Sequence, residues 1–431
     1  MKILVLTVGG SPQPLISSIK QSVPNKVVFL CSDDTPQTKG SYSEIANILK
    51  TSGRDISDSE TVKISGFDDF NDCYVTSLRT LERICNEHPG GQVIADYTGG
   101  TKSMAAGLVA SSLDCPGVTL GLVKGDRADL IKVTNGTQSL RLNRANLATL
   151  ERQKNIIKSF FERFDYAAAI SILESILQIT DLAQTESQKL QSWLVWARAL
   201  DSWDRFDHAG AWRLIHHRRK ECPQIVMFLE ASIYSRRRLD EEFIKVNLEN
   251  INREIEKGTG YELIQDLSLN AKRRAAQGRY DDAVARLYRA IELLAQARLR
   301  LGYQLNAGDI KVVKLPETLQ SKYNNNANAY SKIQLSLRSD YELLVELDHC
   351  NPEPLGQLFT ENKDKIIDFL RIRNNSVLAH GFTPVSEVEY KKAQTFFDYF
   401  LNEALSRLSQ VKMSGKIYAQ PEQFPQSPPQ I

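Results

Sequence analysis

Nowhere in its 431 residues does this chain approach the roughly 20 consecutive apolar residues that a membrane-spanning helix needs. Its N-terminus, MKILVLTVGGSPQP, holds an apolar run too short for a secretory leader and no small-residue cleavage pattern. Both absences point to a cytoplasmic protein with no membrane partner. Cysteine is sparse: Cys31, Cys73, Cys85, Cys115, Cys222 and Cys350 form no C-x-x-C pair and no Cys/His spacing of a zinc site. No metal site is therefore expected, and Cys31, inside an apolar run, reads as a buried thiol suited to a reducing compartment. Charge is nearly balanced, with a formal net of +2, so no overall field draws the protein to nucleic acid. Basic residues do cluster locally, at Arg213–Lys220, Arg236–Arg238 and Lys272–Arg274, but such runs are ordinarily solvated helix faces.

The length exceeds one ordinary core and predicts two or three domains. Residues 1–145 alternate strand-like runs (Ile3–Val8, Val27–Cys31, Val93–Ala95, Val118–Val123, Leu130–Val133) with helical stretches such as Leu15–Gln21 and Asn71–Asn86. Short β-branched runs bounded by Gly, Pro or Asp suit buried parallel strands, so a doubly wound, Rossmann-like α/β domain is expected. Beyond residue 145 the strand signal stops. Residues 146–270 read as an all-α connector, 271–412 as a separate all-α domain, and the Pro- and Gln-rich residues 413–431 as a disordered tail. An aromatic-Asp phrase recurs at Phe164-Asp165, Phe206-Asp207 and Tyr280-Asp281, each followed by spaced alanines that suit close helix–helix packing. Its uneven spacing excludes a regular solenoid. In the last domain a helix is expected over Asp281–Arg300, an Asn-rich loop over Ser321–Ser331, and a final helix opened by a capping box at Ser386 and Glu389.

Two glycine pairs mark strand-to-helix turns in the first domain: Gly9-Gly10-Ser11, and Asp96-Tyr97-Thr98-Gly99-Gly100-Thr101-Lys102-Ser103. Glycine lets backbone approach a ligand, and a helix N-terminus offers free N–H groups. Thr101, Lys102 and Ser103 add hydroxyls and a cation, a combination suited to phosphate or ribose oxygens. Tight structural turns use the same glycines, so the residues alone leave both readings open. Neither turn has the Walker or the dinucleotide-binding spacing.

The segment Glu361–Gly381 sets Ile366, Leu370, Arg373, Val377 and His380 on one stripe of a helix continued to its end. On such a helix Arg373 and His380 lie about 10 Å apart and about 20° apart in phase, with Gly381 as the stop. Arg371 falls on the opposite face, and Asn374 could orient a substrate or cap a turn. A cation in a core stripe must be paired, line a cleft or meet a second subunit. A paired structural Arg and a hydrogen-bonded helix-end His satisfy the pattern as well as chemistry does. The chemical use would be cleavage of RNA by its own 2′-hydroxyl, with a His moving protons and an Arg stabilising the crowded phosphate. A twofold contact through this face would bring two such pairs together.

With Arg373-Asn374 followed after six residues by His380, and with Thr7-Val8-Gly9-Gly10-Ser11 and Asp96–Lys102 upstream, the chain resembles the CRISPR-associated CARF–HEPN ribonucleases, ancillary effectors of type III systems. The resemblance in domain order covers most of the chain; the connector matches weakly. It implies a CARF domain that dimerises and binds a cyclic oligoadenylate activator, with no other cofactor. It also implies a HEPN domain that cuts single-stranded RNA as a homodimer or dimer-based oligomer without metal. By this resemblance Arg373 and His380 are catalytic and Asn374 supports them. Gly9, Gly10, Ser11, Thr98, Gly99, Gly100, Thr101 and Lys102 become the ligand-binding set, and the site permits degradation of the activator. The competing readings are a non-catalytic nucleotide-sensing regulator and an ordinary nucleotide enzyme carrying a scaffold.

Overall fold

The computed structural model describes residues 1–33, 40–115, 117–125, 137–144, 146–178, 182–240, 258–324, 332–347, 353–410 and 421–429. It divides into two compact units, Met1–Lys154 and Asn155–Ile431.

The first unit is built on strands β1 (Lys2–Thr7), β2 (Lys26–Cys31), β3 (Ser59–Lys63), β4 (Gln92–Asp96), β5 (Val118–Lys124) and β6 (Ser139–Arg144). Among the described residues they form one sheet in the order β3-β2-β1-β4-β5-β6. The first five strands are parallel, and β6 runs antiparallel to β5. Each central strand is buried on both faces. Ile3, Val5, Val28 and Leu30 pack with Cys73, Leu81, Met104 and Leu108, while Leu4, Leu6, Val27 and Phe29 pack with Leu15, Ile19 and Ile48. That double burial makes β1 and β2 unbroken apolar runs. The edge strands SETVK and SLRLNR hold at most two apolar residues each, so no apolar run revealed them. The strand expected at Leu130–Val133 lies outside the described residues.

After α1 (Pro12–Ser22), α2 (Ile45–Ser52), α3 (Phe70–Glu87) and α4 (Lys102–Asp114) of the first unit, the helix α5 (Asn146–Glu162) leads into the second unit. There, helix pairs meet at one repeated turn: α5 with α6 (Tyr166–Leu177), α7 (Gln184–Asp204) with α8 (His208–Ile215), and α10 (Glu262–Ala276) with α11 (Tyr280–Tyr303), α9 being Pro223–Leu239. In each turn one residue takes a left-handed conformation: Phe164 at φ +57°, Phe206 at +62° and Gly278 at +73°. Its N–H bonds three residues back, to Phe161, Trp203 or Ala275. The next N–H bonds five residues back, at 2.8–2.9 Å: Asp165 to Phe160, Asp207 to Ser202, and Arg279 to Arg274. This is the double bond set of a glycine-type helix stop. It shifts the repeat by two residues from the aromatic-Asp phrase. Tyr166, His208 and Tyr280 are the equivalent positions, and Ala169, Ala211 and Ala283 are the buried packing alanines. The third pair opens at Glu262, before the expected boundary at 271, and Asn155–Ile431 form one compact unit.

The remaining helices are α12 (Glu317–Asn324), α13 (Leu337–Leu347), α14 (Pro354–Glu361), α15 (Lys363–Asn374) and α16 (Glu387–Gln410). Helix α11 buries Val284, Leu287, Ile291 and Leu294 against α16, as its stripe predicts. Ser386 and Glu389 form the reciprocal capping box, at 2.8 and 3.3 Å. Of the expected Asn-rich loop, Ser321–Asn324 instead finish α12, and 325–331 lie outside the described residues. Residues 421–429 are packed rather than disordered: Phe424 is only 2% exposed. Their Pro and Gln content hid one aromatic anchor. Among the described residues no helix is long and apolar enough to cross a membrane.

Candidate functional sites

Helix α15 stops six residues before the sequence pattern implies. Asn375 closes it by donating to Arg371 at 3.0 Å, and Ser376 donates to the Arg373 carbonyl at 3.0 Å. The chain then folds back. His380 donates through its N–H to the Asn374 carbonyl at 3.3 Å, and Gly381 to Ser376 at 3.1 Å. His380 therefore sits on a turn and not on the helix, and the stripe holds only as far as Ile366, Leu370 and Arg373. Ser376 is buried and its serine hydroxyl ends the apolar pattern, while Val377 is exposed. Gly381 is needed for closeness rather than for positive φ: a Cβ there would collide with the Asn375 carbonyl. The turn does by hydrogen bonding what helical phase was expected to do. It returns the His380 backbone to the residue after Arg373.

The Arg373 guanidinium lies over the Tyr288 ring of α11, 4.5 Å from its centroid, and donates to Asn374 Oδ1 at 3.1 Å. A guanidinium held by its face keeps in-plane N–H groups available to an anion. Arg373 is half-buried and His380 is exposed. Arg371 pairs with Asp368 at 3.2 Å on the solvent side. Tyr288 was not singled out from sequence, although its tyrosine stands one position after Leu287 on an amphipathic helix. Around the turn, Val377, Leu378 and Phe382 are exposed, Phe382 by 96%.

In the first unit the two glycine turns meet. They follow β1 and β4, the adjacent strands between which the strand order reverses, the crevice where open α/β sheets bind ligands. A Cβ on Gly9 would stand 2.7 Å from the Gly100 nitrogen, and one on Gly99 would strike the Thr7 carbonyl. Gly100 needs its positive φ of 82°. Thr7 Oγ1 donates to the Gly99 carbonyl at 2.6 Å and joins the turns. Gly10 has open space where a side chain would be. Among the described residues, the N–H groups of Gly9, Gly10, Ser11, Gly99 and Gly100 donate to no group of the chain.

The threonine hydroxyls are already engaged. Thr98 Oγ1 bonds Asp96 and accepts from the Val123 N–H at 2.8 Å, while Thr101 Oγ1 donates to the Phe67 carbonyl at 2.6 Å and caps Met104 at 3.2 Å. Thr98 is thus spent on holding the turn through both its hydroxyl and its N–H, any ligand contact of Thr101 falls to backbone, and Ser11 and Lys102 remain as exposed side chains. Asp96 anchors the turn from beneath. It is fully buried, takes the Thr98 N–H at 2.8 Å, and burial raises its pKa against the lowering effect of Ser18 and Thr98. Its Asp-x-Thr spacing was the sequence signal for that buried anchor.

Residues 252–403 match the family model of the Csm6 HEPN domain. Over its whole length the fold matches Enterococcus italicus Csm6 bound to cyclic hexa-2′-fluoro-hexa-dAMP, with a TM-score of 0.57 at 13% identity, covering 96% of this chain and 95% of that one. The chain thus has a Csm6-like fold, and its residues 252–403 match a HEPN domain. The mostly parallel sheet and the helical region after it match the Csm6 architecture, and Arg373, Asn374 and His380 lie inside the HEPN match. Can2 from Sulfobacillus thermosulfidooxidans, in complex with cyclic tetra-adenylate, aligns at 16% identity over 46% of this chain and 58% of its own, with a TM-score of 0.24 that bears no weight. No curated protein matches the sequence.

Proposed function

We propose that this protein is an endoribonuclease switched on by a cyclic oligoadenylate, acting on single-stranded RNA in type III CRISPR antiviral defence. The observation that carries the reading is the turn 376–381, which folds a histidine back onto the end of the helix bearing an aromatic-held arginine, inside a HEPN domain match. In the proposed reaction a ribose 2′-oxygen attacks the adjacent phosphorus and the bond to the 5′-oxygen breaks. The products are a 2′,3′-cyclic phosphate and a 5′-hydroxyl. One His380 accepts the 2′-proton, a protonated His380 gives one to the leaving oxygen, and Arg373 holds the charge gathering on phosphate. Asn374 fixes the guanidinium edge. No metal enters this scheme.

Two histidines in two protonation states suit a twofold assembly, and the exposed Val377, Leu378 and Phe382 supply an apolar contact for a homodimer. The activator would lie on the free N–H groups of Gly9, Gly10, Ser11, Gly99 and Gly100, with Thr101 contributing backbone, Lys102 and Ser11 contributing side chains, and Thr98 holding the turn in shape. Anions suit such N–H clusters at helix starts. Activation would follow if ligand binding favours the arrangement that brings two HEPN sites into register. Purified full-length protein should cut labelled single-stranded RNA in chelator only when a cyclic oligoadenylate of the right ring size is added. Silence across all ring sizes, with ligand bound, would leave a sensor without nuclease chemistry.

A further inference from the structure

Phe424 sits in the second unit where three helix pairs meet. Its ring centroid is 4.8 Å from that of Trp203, at the end of α7, and 6.0 Å from that of Tyr166, at the start of α6. Arg273, on α10, lays its guanidinium 3.7 Å above the same ring. The neighbouring glutamine adds polar contacts. Gln423 Oε1 accepts from Arg273 Nη1 at 2.8 Å, and its Nε2 donates to the Leu269 carbonyl at 3.2 Å. Farther along, Gln426 donates to the Glu162 carbonyl at 3.1 Å, and Pro428 and Pro429 are buried. One short extended segment thus touches all three pairs.

The slot is built from the helices themselves. Arg273 is fully buried, and Asp204 holds its Nε at 2.8 Å, with Asp266 at 3.7 Å. Asp266 is itself fixed by Trp203 Nε1 at 3.0 Å and His208 Nε2 at 2.8 Å. A buried guanidinium with its counter-ions already in place offers its face to an aromatic ring and a spare N–H to an amide oxygen. Those are the two features that Gln-Phe presents. Pro425, Pro428 and Pro429 stiffen the segment and lower the entropy lost on seating.

We propose that this slot is a peptide-recognition site, specific for an extended Gln-Phe-Pro segment, and that residues 421–429 are its intramolecular ligand, stapling the three helix pairs together. The inference does not depend on the nuclease reading. It can be tested in the full-length protein carrying a protease site within residues 411–420, folded first and then cut. After cutting, residues 421–431 should stay with the body on gel filtration. A fluorescent synthetic peptide of residues 421–431 should exchange into the slot and raise the Tm of the cut protein. A Phe424→Ala peptide should bind at least about tenfold more weakly, as loss of a buried phenyl ring requires. Exchange that fails at millimolar peptide, or equal binding of the two peptides, would overturn the proposal. Should the cut body unfold once emptied, the Tm measurement still decides: no rise with added wild-type peptide would refute a separable ligand.

Discussion

The His380 N–H donates to the carbonyl oxygen of Asn374 at 3.3 Å, so the candidate proton carrier is tied by backbone to the neighbour of the candidate phosphate clamp. Gly381 permits this closure, because a Cβ would collide with the Asn375 carbonyl. Gly381→Ala should therefore open the turn and slow RNA cleavage by about 100-fold, the cost of misplacing a catalytic group by about 1 Å. Cyclic oligoadenylate binding, measured by calorimetry, should be unchanged. A cleavage rate near wild type would show that the turn does not position the histidine.

Removing the proposed groups themselves should separate catalysis from sensing. His380→Ala and Arg373→Ala should each lower kcat by about 10²–10⁴, with activator affinity retained. Asn374→Ala should cost less, since Arg373 keeps its aromatic support. Normal cutting by His380→Ala would remove His380 from the mechanism.

Tyr288 is the residue that holds Arg373, at 4.5 Å beneath the guanidinium. Its ring, not its hydroxyl, provides that hold. Tyr288→Phe should retain activity, and Tyr288→Ala should lose about 3- to 30-fold in kcat, corresponding to a cation–π contact of about 0.5–2 kcal/mol. KM should move little. Equal losses in both variants would point to the hydroxyl and against this role.

What the sequence disclosed and what it hid divide along physical lines. Buried parallel strands such as Ile3–Leu6 and Val27–Leu30 were legible because both faces need apolar side chains. The edge strands Ser59–Lys63 and Ser139–Arg144 were not, because each has only one paired neighbour and reads as polar loop. The glycine turns were legible as turns, but not the engagement of the Thr98 and Thr101 hydroxyls with the Val123 N–H and the Phe67 carbonyl, which depends on segments far apart in sequence. Helical periodicity placed Arg373 correctly and misplaced His380. Nothing in a 3.6-residue period reports that Ser376 turns inward and ends the helix. Phe424 was missed because tail composition averages over its single anchor.

Gly10 and Gly99 allow fold and binding to be distinguished in the first unit. A side chain on Gly99 meets the Thr7 carbonyl, whereas one on Gly10 meets nothing. Gly99→Ala should lower the Tm of this unit and binding together. Gly10→Ala should keep the Tm and still weaken cyclic oligoadenylate binding by about tenfold, since a methyl group would obstruct close approach of phosphate to the backbone. Unchanged affinity in Gly10→Ala would move the ligand away from this turn.

Asp340 gives the second unit a calculable pH dependence. It lies fully buried in the first turn of α13, and that burial, with Glu292 nearby, pushes its carboxyl up to about 7 against the lowering effect of Gln296 and Arg289. In the unfolded chain it titrates at about 3.9. Between those values the folded state keeps the proton and the unfolded state releases it. Stability from this group is therefore full below pH 4, falls as pH rises, and levels off above about 7. Asp340→Asn mimics the protonated form at every pH. It should match wild type near pH 4 and exceed it above pH 7 by about 1–3 kcal/mol, visible as a Tm difference that grows with pH. A pH-independent difference would mean that the carboxyl ionises in the fold as it does in water.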